Sequence, residues 1–322
     1  MGDAVVVYGA SGHTGRFVVA ELSRRGFEPI PAGRRASDFP GLDVRVAAVD
    51  DAAGLDRVLA GAAAVINCAG PFAVTAGPVV EAALRASVPY VDIAAEIEAN
   101  VDTLARFAGM EGVAVPGMAF FGGLGDLLAT AAMGDWVRAD SVHVAYGLSG
   151  WHPTPGTLAA GAVSRDRRGG KRVRFVGGRL EYCSGPLPVE EWDFPQPLGR
   201  RAVLGEFTMA DVVTIPSHVE VGEVRTYMTT DAAADLAAGS TTRTPETFLV
   251  DVIVRSGGES RRLAASGRDI YAVTAPLAAE AVERILTGRL RRTGVASAGA
   301  LFDAPDFLRA LSPHITIHRP TR

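Results

Sequence analysis

The chain opens on a continuous apolar run, Ala4-Val5-Val6-Val7-Tyr8, the pattern of a strand covered on both faces in a parallel sheet. The run stops at Gly9-Ala10-Ser11-Gly12-His13-Thr14-Gly15. A helical period follows, with Phe17, Val18, Val19 and Leu22 on one side, Glu21, Arg24 and Arg25 on the other, and Gly26 as a stop. The alternation repeats. Strands are predicted at 27–32, 44–49, 64–68, 89–93 and 113–116. Helices are predicted around Leu55–Leu59, from Pro78 in a first turn through Ala86, and over Val101–Phe107. Six short strands separated by helices predict an α/β fold with a Rossmann-type doubly wound parallel sheet.

After a helix predicted over Leu124–Val137 the rhythm changes. Val142–Tyr146 begins a strand-rich stretch. Lys171–Val176 and Arg179–Cys183 flank Gly177-Gly178, and Phe248–Arg255 and Glu259–Ala265 flank Gly257-Gly258, two hairpin signals of antiparallel sheet. Proline and glycine gather in Trp151–Gly156 and Gly185–Gly199, which read as loops beside a cleft or interface. A helical period returns over Asp269–Leu286, predicting a tail that packs back on the first domain. The expected organisation is residues 1–138 plus 268–322 as the parallel-sheet domain, with residues 139–267 as an inserted α+β domain of mixed or antiparallel sheet.

The glycine turn carries the first chemistry. Gly9, Gly12 and Gly15, between a strand and a helix, gather backbone N–H groups and a helix N-terminus at one point, which suits a pyrophosphate. Glycine makes up 37 of the 322 residues, so the spacing counts only in that strand–turn–helix context. At the end of the next strand an NAD site wants Asp or Glu for the ribose hydroxyl. Glu28 lies at the wrong end of that strand and Asp38 beyond the turn; Arg34 and Arg35 stand there instead. The pair suits a 2′-phosphate, against the alternative of two solvated arginines, and favours NADP(H). Other candidates at strand ends are Ser11, Asp50 for an adenine edge, and Cys68, Ala69, Gly70 and Asp92.

Composition and charge narrow the classes. Hydrophobic residues make up 48% and charged ones 21%, and 32 basic against 36 acidic side chains give a net charge of −4 with no basic stripe, which argues against nucleic-acid binding. No apolar run reaches the ~18–20 residues of a membrane span, and no export leader is visible, so a cytoplasmic location is expected. Cys68 and Cys183 are too few for a disulfide framework or a four-thiolate zinc site, and the six histidines lack ligand spacing; no metal is predicted.

A hydride transfer asks chiefly for orientation, with a proton donor where charge develops. The Tyr-x-x-x-Lys pair of short-chain dehydrogenases is absent from the first half, and Lys171 is the only lysine. Candidate donors are His152, Tyr146, Tyr227 and Asp92. The default reading of His152 is an exposed loop histidine, and Asp92 reads equally as a turn cap. Cys68 reads as a packing residue rather than a nucleophile.

VVYGASGHTGRFVVAELSRRG, AGRR, VINCAGPF with AGPVVEAAL, and PYVDIAAE resemble the NADP-binding half of saccharopine dehydrogenase-like proteins. GMAFFGGLGDLLA, TPGTLAAGAVS and GRDIYAVTAPLAAEAVERILTG extend the likeness over most of the chain. The family includes saccharopine reductases and trans-acting enoyl reductases. The resemblance implies a Rossmann domain interrupted by a mixed-sheet domain that holds substrate and often the dimer contact. It assigns the cofactor loop to Ser11, Gly12, His13 and Thr14, the adenosine-side cation to Arg34, and the nicotinamide side to Cys68, Ala69, Gly70 and Pro71. The chain departs from it at Gly125, where a serine often precedes the aspartate, and at Ala95, where a glycine is usual. It also lacks an amino-acid-binding arginine cluster, which tells against saccharopine as substrate. The expected function is an NADPH-dependent oxidoreductase reducing a C=C, C=N or C=O bond of a small or carrier-tethered metabolite, with a homodimer as the expected assembly. The alternatives are a non-catalytic NADP(H)-binding regulator and a structural subunit that kept only the fold.

Overall fold

The computed structural model describes residues 2–38, 44–239 and 246–319. Its first half alternates as the pattern predicts: β1 (Ala4–Tyr8), α1 (His13–Arg24), β2 (Glu28–Gly33), β3 (Arg45–Val46), α2 (Ala52–Leu59), β4 (Ala64–Asn67), α3 (Phe72–Ala86), β5 (Tyr90–Asp92), α4 (Ile97–Arg106) and β6 (Val113–Val115). A kinked turn at Phe120–Leu124 leads into α5 (Gly125–Met133). There follow β7 (Arg138–Leu148), α6 (Pro155–Arg167), β8 (Arg172–Val176), β9 (Arg179–Cys183), β10 (Val189–Asp193), β11 (Arg200–Gly205), α7 (Asp211–Thr214), β12 (Glu220–Thr229), α8 (Thr230–Ala238), β13 (Thr247–Ser256) and β14 (Glu259–Arg268). The tail holds α9 (Thr274–Leu286), β15 (Gly294–Val295), α10 (Ala298–Leu301), α11 (Ala304–Ala310) and β16 (Ile315–His318).

The first sheet has seven strands in the order β15-β6-β5-β4-β1-β2-β3, all parallel. Alternate residues of β1 serve opposite layers: Val5 and Val7 pack with Val18 and Leu22 of α1, while Val6 and Tyr8 pack with Leu55, Val79 and Val80 of α2 and α3. That two-sided burial is why the strand reads as an unbroken apolar run. The second sheet has nine strands, with β10-β11-β12-β7-β13-β14-β16 in line and β8-β9 branching from β12. Its β12–β7 pair is parallel and the other pairs are antiparallel. Both predicted hairpins form. One core joins Val5, Ile66 and Val115 of the first sheet to Val142, Val144, Val250 and Val252 of the second through α5 and α9.

The chain differs from the pattern at several places. The strand expected over 44–49 is only Arg45–Val46, an edge strand that breaks into a turn before Asp50. Helix α3 starts at Phe72, so Pro78 lies inside it rather than in its first turn. The start is set from outside: both carboxylate oxygens of Glu96 accept the Phe72 N–H, at 2.9 and 3.1 Å. Pro78 leaves the Val74 carbonyl without its helical donor, and Val74 is a surface residue, 54% exposed, where water is at hand. Helix α4 starts at Ile97 rather than Val101 because its first turns bury polar residues, Glu98 and Asn100, that break the apolar stripe. The expected loop over Gly185–Gly199 contains β10, an edge strand with only Trp192 buried. Helix α6 begins at Pro155, inside the expected loop over Trp151–Gly156, and buries only Ser164. In the tail, β15 extends the first sheet beside β6, whereas β16 pairs with β14 of the second.

Candidate functional site

Strand β1 lies between β2 and β4, and chain direction across the sheet reverses there, opening a crevice at the carboxyl ends of β1 and β4. Gly9 ends β1 with φ of +86°, and a Cβ on it would lie 2.7 Å from the Ala69 nitrogen. The turn is thus pressed onto the end of β4, a contact only glycine permits. A Cβ on Gly15 would run into the Gly9 carbonyl and Ala10 backbone, so α1 starts close under the turn. Gly12 caps α1 without any side-chain cap bond. Ser11, Gly12, His13 and Thr14 reach the surface around that helix end. An open, positively polarised helix start in a cradle that a Cβ would fill fits a pyrophosphate.

At the end of β2, Arg34 and Arg35 are both exposed. Arg35 lies 3.4 Å from Asp38, while Arg34 makes no hydrogen bond or ion pair among the described residues. Tyr8, whose hydroxyl donates to the Ala47 carbonyl at 3.0 Å, lies beneath. Burial pushes that phenol up, with Arg34 drawing it down and Asp50 raising it, so both charges stand near the same ring. Asp50 is exposed, and Asp51 beside it caps α2 by accepting the Gly54 N–H at 2.8 Å.

The Cys68–Pro71 segment leaves β4 along the other side of the crevice. Two residues that sequence reasoning passed over hold it in place. Buried Asn67 accepts the Ala69 N–H at 3.0 Å and donates to Thr75 and Tyr90, each at 3.2 Å, while the Thr75 hydroxyl donates to the Ala69 carbonyl. Burial, reinforced by Asp92, pushes the Cys68 thiol far up, which keeps it protonated, as a packing residue requires. Gly70 is exposed. The position a Cβ would take there is 3.9 Å from the Ala160 methyl of α6, which therefore overhangs the end of β4.

The proton-donor candidates divide sharply. Asp92 is fully buried, and its carboxylate accepts the N–H groups of Ala94 (3.0 Å) and Gly117 (2.8 Å) and the Tyr90 hydroxyl (2.8 Å). Burial raises it and those donors hold it down; it is a turn cap joining the ends of β5 and β6. Tyr146 is also fully buried and donates to Asp211 (2.8–2.9 Å). Burial pushes Asp211 up to about 7 against that hydrogen bond. Tyr146 points into the core between the sheets, so neither it nor Asp92 faces the crevice. Tyr227 lies on the opposite face of the second sheet, stacked with Trp192 at 4.9 Å, and burial pushes it up to about 12. His152 lies in the loop before α6, half-buried, its backbone N–H donating to Glu246 at 3.1 Å and its Nδ1 buried without a partner among the described residues.

The crevice also contains Tyr271, in the connector between β14 and α9, a residue whose role no local sequence signal marks. Its ring meets His13 edge-on, with centroids 5.3 Å apart. The phenol oxygen lies 3.2 Å from Trp151 Nε1, 3.3 Å from the Thr154 nitrogen and 3.0 Å from Thr157 Oγ1. One side chain thus joins the start of α1 to the start of α6. Among the described residues no three His, Cys, Asp or Glu side chains converge as metal ligands, and no helix is long and apolar enough to cross a membrane.

Residues 5–114 match the family model of the saccharopine dehydrogenase NADP binding domain. No curated protein matches the chain. Similar solved structures include a UDP-glucose 4-epimerase of Thermus thermophilus in complex with NAD, at 19% identity over 27% of this chain and 36% of that one, with a TM-score of 0.25. A short-chain dehydrogenase/reductase superfamily protein of Agrobacterium tumefaciens with bound NAD is 26% identical over 30% of this chain and 34% of that one, TM-score 0.26. A UDP-N-acetylglucosamine 4-epimerase from Bacillus cereus is 18% identical over 30% and 40%, TM-score 0.26. The chain spans well under two thirds of the length of each of these structures.

Proposed function

From the match of residues 5–114 to the saccharopine dehydrogenase NADP binding domain and the geometry of the glycine loop, we propose that this protein is an NADPH-dependent oxidoreductase. It reduces a C=C, C=N or C=O bond of a small or carrier-tethered metabolite. The observation that carries the reading is the open start of α1, cradled by Gly9 and Gly15, with Arg34, unpaired among the described residues, at the end of the adjacent strand. The Ser11–Thr14 loop holds the pyrophosphate, Arg34 with Arg35 the 2′-phosphate, Asp50 the adenine edge, and Cys68, Ala69, Gly70 and Pro71 flank the nicotinamide. The bound dinucleotide supplies the hydride; the chain's work is to orient it, exclude water and deliver a proton. Its candidate donor is His152, the one of the four candidates that is neither fully buried nor on the far face of the second sheet.

The missing amino-acid-binding arginine cluster supports an apolar acyl group over a polycarboxylate, as does the aromatic group that Trp151 forms with Phe121 (4.9 Å) and Phe207 (6.4 Å) just before α6. A homodimer through the second sheet belongs to the same reading, and light scattering that returns only the monomer mass removes it.

The deciding experiment is a fluorescence titration with NADPH and NADH. Wild type is expected to prefer NADPH, and Arg34→Ala to lose about 10–100-fold in NADPH affinity with little change for NADH, the worth of charge-assisted bonds to a phosphate. Equal loss for both nucleotides removes the 2′-phosphate assignment, and no binding of either removes the oxidoreductase. The non-catalytic regulator predicts tight binding with no NADPH oxidation by any enoyl, imine or keto acceptor.

A further inference from the structure

Helix α6 is thirteen residues long, yet Ser164 is its only buried side chain. It is held over the end of β4 by polar contacts at two places. In its last turns Ser164 and Arg168 both bond Glu98 of α4, and Arg167 pairs with Asp102 at 2.8 Å. At its start it is held by Tyr271. The Trp151 and Thr154 N–H groups can only donate, so together they occupy both lone pairs of the phenol oxygen. The phenol also shares a hydrogen bond with Thr157 Oγ1 at 3.0 Å, and Thr157 Oγ1 shares one with Thr154 Oγ1 at 2.9 Å. The other end of Tyr271 is its ring, set against His13 in the first turn of α1.

From this arrangement, and resting on the reading that the glycine loop holds a nicotinamide nucleotide, we propose that Tyr271 is a positioning residue. It ties the start of α6 to the cofactor loop, so that filling the loop and seating α6 over the nicotinamide side are coupled. The ring senses the loop through His13, and the hydroxyl holds the helix through Thr157 and Thr154. The helix surface facing the end of β4 is small-sided, with Ala160 facing Gly70.

The test separates hydroxyl from ring. Tyr271→Phe keeps the ring on His13 and deletes the phenol oxygen; Thr157→Val removes the acceptor from the other side and guards against a misfolded first variant. Trypsin reads the helix directly, because Arg165 and Arg167 are exposed on its last turns. In wild type, NADPH is expected to slow cleavage there and to raise and blue-shift its own bound emission. Both variants should bind NADPH within about threefold of wild type, since the loop is untouched, yet show about fivefold faster cleavage, the worth of one hydrogen bond. Neither should regain protection or the emission change when saturated. Saturated variants whose protection and emission match wild type overturn the coupling and leave the cofactor reading intact. A wild type that binds neither nucleotide overturns both.

Discussion

Gly9 shows how much of the site one residue can carry. Its φ of +86° is open to few side chains, and a Cβ would press on the Ala69 nitrogen and the Cys68 carbonyl carbon. Gly9→Ala is therefore expected to cost more than about 1–2 kcal/mol from the backbone alone. The clash should also push the cofactor loop off β4. Urea unfolding and NADPH titration of the same sample check both, and a variant with wild-type affinity would mean the loop does not need that contact. Cys68 makes the opposite case, a reactive type made inert by its place. With its thiol held protonated by burial and by Asp92, native protein at pH 8 should leave Cys68 unmodified by iodoacetamide, while urea-unfolded protein reacts at both cysteines. Peptide mapping after alkylation decides it.

Elements differ in how well the sequence announces them. Strand β1, the glycine turn and Arg34 are legible because neighbours in sequence set them: an apolar run, a turn only glycine fits, a charge at a strand end. The start of α3 is not legible, because its cap is Glu96, which approaches from the far side of β5. Helix α6 escapes the pattern for lack of an apolar stripe, and Tyr271 escapes because its partners lie 114 to 120 residues away, with His13 further still. Another such long-range tie joins α5 to the turn after α7. His218 Nε2 lies 2.6 Å from Asp126 Oδ1, and Asp126 Oδ2 accepts the Gly299 N–H at 2.8 Å, at the start of α10. Burial works against the charged ring, but the Asp126 carboxylate outweighs it and raises His218 above its ordinary value. A histidine raised on folding stabilises fully below its unfolded pKa near 6.5 and loses that stability as pH rises through its folded value. Wild type should lose about 1 kcal/mol relative to His218→Gln between pH 6 and pH 9, an amount typical of one partly buried ion pair. Parallel denaturation profiles for the two proteins would contradict the assignment.

At the scale of the molecule, the two sheets are not separate bodies joined by a linker. The chain passes from the first sheet to the second through α5, returns through α9 and β15, and ends back in the second sheet as β16 against β14. One hydrophobic core runs through both, and it is tied across α1 and α9 by a buried ion network in which Arg25 meets Glu280 at 2.6 Å and Arg284, 2% exposed, meets Glu280 at 2.7 Å and Asp306 at 2.8 Å. Arg284→Met deletes the most buried member and its bonds to Glu280 and Asp306, while Arg25 still pairs Glu280, so it should destabilise by about 1.5–3 kcal/mol, beyond a typical surface substitution. The shared core also predicts how the molecule answers its ligand. If the sheets unfold together, a nucleotide bound at the carboxyl ends of β1 and β4 must stabilise the far face of the second sheet, where Trp192 donates to the buried Asp251 at 2.8 Å. With Trp136 and Trp151 replaced by Phe, Trp192 is the only indole and reports that sheet. NADPH at about 100 times its dissociation constant adds about 2.7 kcal/mol to a cooperative unit. The Trp192 melt and the far-UV circular dichroism melt should therefore rise together by the same number of degrees. A Trp192 transition that stays put while the dichroism shifts would show that the second sheet unfolds on its own, and that the core read as continuous is divided at α5.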